Sequence, residues 1–336
     1  MNAKELLTLL GLPTSQGYSK DATRLIKVYD FLKSIKNDIT ESSILEYGID
    51  TDFGLSNQIS VKTKTGNYSF AVPCANSFYY SICDLIGLDY EVNGVIKDKP
   101  LDSVIVYSEK LKDIIKALKF ISKDNLRPSM QCVLLAIDSY TFEIVATDTH
   151  RLYMNQKTES SNKERIEILL NATDAKRLAA MKFDYELTEL EILEGNKLRV
   201  QSEIFDIQDE NYPNYRSVIP EYKTFMEFDR KEMNGTIKEV LPYANKVTNE
   251  VNFYMNGNIQ LSSKDVDFSF DCERRMSYIS KNFKDSTISF NGKFFLDSLN
   301  LFKNDTLKMY TEGSPTKCSL ITNDIETVLL MPIMAR

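Results

Sequence analysis

Residues 133–154 read VLLAIDSYTFEIVATDTHRLYM. Two runs, VLLAID and TFEIVATD, carry the β-branched and aromatic residues that favour strands. FEIVATDTHRLYM reads as a strand pair around a turn. His150, inside that turn, is the single histidine of the 336-residue chain. Asp148 is placed to accept backbone N–H bonds in the turn, with His150 as a satisfied polar residue. A histidine near an aspartate also invites a catalytic reading. A general base needs a proton partner and a pocket, and a metal site needs three or four ligands. One histidine excludes a His-rich metal site. The chain has no G-x-S-x-G elbow, no GxxxxGK followed by Ser or Thr, no GxGxxG and no HExxH. No metal site, cofactor or catalytic residue is expected, and the chain reads as non-enzymatic.

Outward from this stretch the sequence repeats an order of elements. SVIVYS is a short strand, followed by an apolar pattern at helical spacing in EKLKDIIKALKFISK (109–123). CVLLAID, TFEIVATD and RIEILLN are strands. A helix starts after Asn171, then LTELEIL and KLRVQSEIF are strands, and NYPNYRSVIP (211–220) closes the unit. The same order returns in TFMEFD, the helical RKEMNGTIKEVLPYANK, the strands VNFYMN, NIQLSS and DVDFSFDC, and a helix after Asn291. TLKMYTE, KCSLIT and IETVLLMPI complete it. Asn171 and Asn291 lie 120 positions apart. Residues 103–220 and 221–336 therefore read as copies of one α+β unit, with two helices and many alternating strands each. Residues 1–102 fit less well. DATRLIKVYDFLKSIK reads as a first helix and YSFAVPCANSFYYSICDLIG as a strand entering a helix. The segment is either a shortened copy or an unrelated cap.

Composition narrows the class. A hydrophobic content of 43% with 26% charged residues is that of an ordinary globular protein. No apolar run approaches the roughly 18 residues that span a membrane, and no membrane partner is expected. The N-terminal MNAKELLTLLGLPT reads as a helix turn, not a signal peptide. Five cysteines, none in a CxxC pair, argue against a zinc site or disulfide framework and for a reducing cytoplasm. The formal charge of −7 argues against gripping nucleic acid by bulk charge.

The distribution of charge modifies that conclusion. At 100° per residue, Leu111, Ile114, Ile115, Leu118 and Ile121 form a core face over 109–123. Lys112, Lys116, Lys119 and Lys123 form a separate stripe with no acid in it. In the later copy Met233, Ile237, Val240 and Ala244 make the core face. Lys231, Asn234, Lys238 and Asn245 line another, and Pro242 interrupts the helix. Lys20, Arg24 and Lys27 share a stripe near the N-terminus. A solvated helix face is one reading. Such faces usually mix signs, because Glu–Lys pairs one turn apart stabilise them. Unpaired lysines on equivalent helices of an acidic chain point instead to sequence-independent contact with a phosphate backbone.

Three motifs now bear on identity. VLLAIDSYTFEIVATDTHRLYM resembles the middle domain of the bacterial sliding clamps, the DNA polymerase III beta subunit family, which carry A-T-D-G/S-H-R-L. NYPNYRSVIP resembles the segment that closes that domain, and LLMPIMAR the family's C-terminus. The resemblance covers about 103–336 and is faint before it. It implies a ring of repeated clamp domains, two helices packed on antiparallel sheets in each, threaded by duplex DNA with the lysines facing the hole. It also implies a processivity factor in the cytoplasm, associated with the nucleoid. Its partners would be double-stranded DNA, a replicative polymerase, a clamp loader and other clamp-binding peptides, and its ring a homodimer.

In clamps the A-T-D-G/S-H-R-L segment walls a cleft that takes short partner peptides. By motif position that cleft would use Thr147, Thr149, His150, Arg151 and Leu152, then Pro213 and Val218. Leu329, Met331, Pro332, Ile333 and Met334 would join from the C-terminus, with Met130 beside them. Thr149 departs from the family, which has Gly or Ser there. The short first segment leaves an alternative, a clamp-fold adaptor that binds partner peptides without encircling DNA.

Overall fold

The computed structural model describes residues 20–34, 45–50, 56–62, 66–72, 100–138, 141–158, 165–184, 186–282, 285–314 and 316–334. Near the N-terminus these hold helix α1 (Lys20–Ser34) and strands β1 (Leu45–Asp50), β2 (Ser56–Lys62) and β3 (Asn67–Val72). Next come β4 (Asp102–Tyr107), the one-turn helices α2 (Ser108–Leu111) and α3 (Ile114–Ala117), β5 (Cys132–Ile137), β6 (Thr141–Thr147) and β7 (Arg151–Thr158). β8 (Ile166–Asn171), α4 (Ala172–Ala180), β9 (Leu187–Leu193), β10 (Lys197–Val200) and β11 (Glu203–Asp206) follow. The C-terminal part has β12 (Phe225–Asp229), α5 (Arg230–Val240), β13 (Glu250–Met255), β14 (Ile259–Asp265), β15 (Phe270–Met276) and β16 (Ser280–Lys281). It ends with β17 (Ser286–Asn291), α6 (Gly292–Leu299), β18 (Thr306–Tyr310), β19 (Ser319–Thr322) and β20 (Glu326–Leu330).

The chain divides into two compact units. The first holds the described residues up to Ile115, with Val133–Glu143 and Lys157–Glu210. In it β1, β2 and β3 form an antiparallel meander. Phe31 of α1 packs its ring against Tyr68 and Phe70 of β3, with centroids 4.9 and 5.4 Å apart. Lys27 of α1 is exposed, whereas the side chains of Lys20 and Arg24 lie outside the described residues. A second antiparallel sheet runs β11-β10-β9-β4. The run KLRVQSEIF, expected as one strand, is a hairpin of β10 and β11, because Gln201 turns the chain with φ 55°.

The second unit holds Lys116–Cys132, Ile144–Gln156 and Asn211–Arg336. One sheet runs β15-β14-β13-β17. Beneath it Phe253, Phe290 and Phe295 form a buried trio with centroids 4.9–5.4 Å apart, edge and stacked contacts that bury large apolar area. Gly292 opens α6 where a Cβ would stand 2.8 Å from Val251 Cγ2 and 2.9 Å from Leu241 Cδ1. Only glycine fits there without repacking. The other strands of this unit follow the order β16-β12-β18-β19-β20-β7, with the end of β6 beside β7. Leu152 and Leu329 face each other across β7 and β20. The expected strand 265–272 is interrupted: β14 stops at Asp265, Ser269 takes φ 53°, and β15 starts at Phe270. The alternating pattern continues through that turn, so periodicity alone could not reveal it.

The two helix starts marked by asparagine are N-caps. Asn171 Oδ1 accepts from Thr173 N and Asp174 N, and Asn291 Oδ1 accepts from Lys293 N and Phe294 N. Each satisfies two donors that helix geometry leaves orphaned. Met233, Ile237, Val240 and Ala244 are buried as expected, and Pro242 ends α5 in a 3-10 turn, Leu241–Tyr243.

The single helix expected over 109–123 is corrected. It is two short helices joined by i to i−3 bonds, Asp113 N to Lys110 O (3.0 Å) and Ile115 N to Lys112 O (3.3 Å), and the same bonding continues past the second in Lys119 N to Lys116 O (3.2 Å) and Phe120 N to Ala117 O (2.8 Å). Such winding repeats every three residues. Buried positions are accordingly Leu111, Ile114, Ala117 and Phe120, all 0% exposed. Ile115 is 45% exposed, and Leu118 and Ile121 are half-buried. The 100° periodicity therefore assigned these three to the core incorrectly.

Candidate partner-binding cleft

The turn between β6 and β7 is built by Asp148. Its Oδ1 accepts from His150 N (3.0 Å) and Arg151 N (2.8 Å), while Asp148 N donates to Arg151 O (3.2 Å). Thr147 Oγ1 donates to Arg151 O and accepts from Thr149 N. Thr149 takes φ 76°, a left-handed conformation that glycine adopts freely and a β-branched residue resists. This is the position where the resembled family has Gly or Ser.

Arg151 is the hub of the site. Its guanidinium pairs with Asp148 Oδ2 at 3.0 Å, with Asp297 Oδ2 of α6 at 3.1 Å, and donates to Lys119 O at 3.1 Å. It lies over two rings, Phe120 at 4.7 Å and Phe294 at 4.3 Å. Phe120 in turn stacks on Tyr153 (5.5 Å), and Phe294 on His150 (5.9 Å). A column thus runs Tyr153–Phe120–Arg151–Phe294–His150, each step a stacking or cation–π contact. Tyr153 OH donates to Glu326 Oε1 (2.8 Å), and the same oxygen accepts from Lys116 Nζ (2.6 Å).

Beside the column lies a cavity of about 900 Å³. One wall is Thr149, His150 and Arg151 together with Asp148; α6 adds Phe294 and Asp297, and the segment 118–127 supplies the rest. Its volume falls in the range of small-ligand and peptide sites. Of the residues expected in a cleft, Thr149, His150 and Arg151 of the turn line the cavity. Thr147, Leu152 and Leu329 are buried in the sheet. Met331 N donates to His150 O (2.9 Å) and Ile333 N to Ser289 O (2.8 Å), so the C-terminal strand extension lies against the turn. Met331, Met334 and Val218 are exposed, while Met130, Pro213, Pro332 and Ile333 are half-buried. Cys318 Sγ approaches Val218 O at 3.7 Å. Burial pushes the Cys318 thiol and the adjacent Tyr222 phenol up from their usual ranges.

Phe120, Phe294, Asp297, Arg127, Leu118 and Ile121 were not anticipated. Phe294 and Asp297 stand one turn apart on α6 and so share a face, but nothing in a single sequence pairs them with Arg151.

No family model matches the sequence, and no curated protein matches it. Solved structures do. The DNA polymerase III beta sliding clamp of Pseudomonas aeruginosa, bound to griselimycin, superimposes with a TM-score of 0.65 at 17% identity, over 83% of this chain and 74% of the clamp. The Thermotoga maritima beta subunit gives 0.64 at 20% identity, over 86% and 76%. The Bacillus subtilis clamp gives 0.63 at 16% identity, over 86% and 74%. The chain has the sliding-clamp fold.

Within this clamp fold the expected DNA-facing cations differ in their surroundings. Lys116 is held by Glu326, and Lys231 Nζ lies 2.8 Å from Asp305. Neither acid shares the lysine's own helix, so the stripes hid both partners. Lys112, Lys119, Lys123 and Lys238 are exposed. Among the described residues no group of three or more His, Cys, Asp or Glu could hold a metal ion, and no helix is long and apolar enough to cross a membrane.

The clamp fold also leaves β15 at a sheet edge. Phe268 and Phe270 are exposed there and stack at 6.0 Å, and Tyr243 meets Phe270 edge-on at 6.1 Å. Val266 and Val247 are exposed as well. The strand itself carries Asp271, Glu273, Arg274 and Arg275, so the apolar surface is confined to the rings at its start, and exposed apolar groups beside a sheet edge can seat another chain.

Proposed function

We propose that this chain is a DNA sliding clamp, a non-catalytic processivity factor that encircles duplex DNA and tethers a replicative polymerase and other partners by peptide segments. Residues 103–220 and 221–336 would be two clamp domains, with 1–102 a shortened or divergent first domain. The observation that carries this reading is the cavity walled by the ATDTHRL turn in a chain of clamp fold. Exposed Lys112 and Lys238 supply weak, mobile phosphate contacts compatible with sliding, while Lys119 and Lys123 line the cavity. The exposed rings Phe268 and Phe270 at the start of β15 are compatible with a contact that closes a homodimeric ring, and the proposed place of action is the cytoplasm.

The test is retention on DNA. The protein is loaded on nicked circular DNA and on short open linear DNA of the same sequence, and dissociation is followed. An encircling clamp persists on the circle and runs off the open ends. Equal dissociation from both would reject encirclement and leave the adaptor.

A further inference from the structure

The charge inside the cavity is not balanced. Three aspartates line it, and each is already engaged by the protein. Asp148 and Asp297 share Arg151, and Asp124 accepts from Leu126 N (3.0 Å) and lies 3.9 Å from Arg127 Nε. Lys119 and Lys123 line the same cavity, and neither makes an ion pair among the described residues. Between them, Leu118 and Ile121 present half-buried aliphatic surface to the cavity. Phe294, the aromatic ring of the wall, is occupied by Arg151 and His150. It offers no vacant stacking platform of the kind single-stranded nucleic acid uses.

We infer that this cavity selects partner segments in which an apolar side chain is flanked by carboxylates. The inference rests on the peptide-cleft reading and names the chemistry of the peptide. The aliphatic floor takes the apolar anchor. Lys119 and Lys123, beside a concave low-dielectric wall, attract and orient the acids. An amide peptide of the same shape keeps the anchor and loses the attraction. A basic one meets repulsion.

Three labelled ten-residue peptides test this with the full-length protein, by fluorescence anisotropy at low salt. They share an anchor of two leucines flanked by aspartates, asparagines or lysines. The aspartate peptide is expected to bind roughly tenfold tighter than the asparagine peptide, the size that two screened charge pairs supply. The preference should shrink in high salt. It should vanish in a Lys119→Gln, Lys123→Gln double variant with unchanged thermal unfolding. Equal binding of the aspartate and asparagine peptides overturns the inference and leaves the cleft standing. Failure of all three to bind removes the cleft reading as well. An oligothymidylate that displaces the aspartate peptide, and loses affinity in the same double variant, would assign these lysines to nucleic acid and also overturn it.

Discussion

Arg151 Nη1 reaches Asp297 Oδ2 across 3.1 Å, joining the β6–β7 turn to helix α6. The two partners differ in burial: the Arg151 side chain is 7% exposed and that of Asp297 57%. Removing one partner of a buried charge pair is expensive because the other charge stays buried, whereas exposed partners matter little. Arg151→Ala strands Asp148, frees the Lys119 carbonyl and empties the space between two rings. We expect it to cost about 3 kcal/mol or more, and Asp297→Asn under about 1 kcal/mol. Urea unfolding of the two variants checks the order. Arg151→Lys should behave nearly as badly as alanine, because an ammonium cannot reproduce a planar fork stacked between rings.

Thr149 at φ 76° carries backbone strain on a β-branched residue. An L-residue held left-handed costs about 1–2 kcal/mol, and glycine gives back about 0.5–1 kcal/mol through the entropy of the unfolded chain. Thr149→Gly should therefore stabilise the protein by about 0.5–1 kcal/mol net. Thr149→Val retains the branching and loses the hydroxyl, so it should be no more stable than the parent. Thermal unfolding of both variants decides it. A Gly variant less stable than the parent would show that the Thr side chain makes an offsetting contact.

Glu326 sits at the far end of the stacked column, 8% exposed, with Lys116 and Tyr153 on one oxygen. Lys116→Met leaves that carboxylate with the phenol but without its cation. The expected loss is about 1–3 kcal/mol, the range for a buried polar group deprived of a partner. Combining Lys116→Met with Glu326→Gln should recover much of it, since the uncompensated charge is gone. A double-mutant cycle measures the coupling, and strictly additive losses would mean the pair contributes nothing.

These relationships separate what one sequence can and cannot show. Most strands of 103–336, the helix starts after the two asparagines and the core face of α5 were legible, because local propensity, capping chemistry and burial agree there, while the turns at Gln201 and Ser269 were not. The 109–123 segment misled because apolar residues at 111, 114, 117 and 120 fit a three-residue winding as well as those at 111, 114, 115 and 118 fit 3.6. The Asp148 turn was legible, since the aspartate bonds its own neighbours. The cavity was half legible. Its turn wall carries a motif, while Phe294 and Asp297 reach Arg151 from 143 and 146 positions away. Lys116 looked unpaired for the same reason, its acid being 210 positions off. Local pattern reports neighbours along the chain, and the ion pairs that decide which lysines stay available are tertiary.

The exposed aromatics of β15 give the last prediction. Phe268 and Phe270 stack on each other at the open edge of a sheet, where burial of large apolar rings would favour a second chain. Phe268→Asp with Phe270→Asp puts charge where an apolar contact is expected and leaves the buried Phe253, Phe290 and Phe295 trio untouched. Circular dichroism should be unchanged, because neither side chain is in the core. Sedimentation velocity should show the parent as a homodimer and the variant shifted to monomer at the same concentration. Retention on circular DNA should fall with it, since an open protomer has no topological hold. A variant that stays dimeric would place the ring contact elsewhere. A variant that is monomeric yet still retained on the circle would mean that retention comes from lysine contacts and not from encirclement.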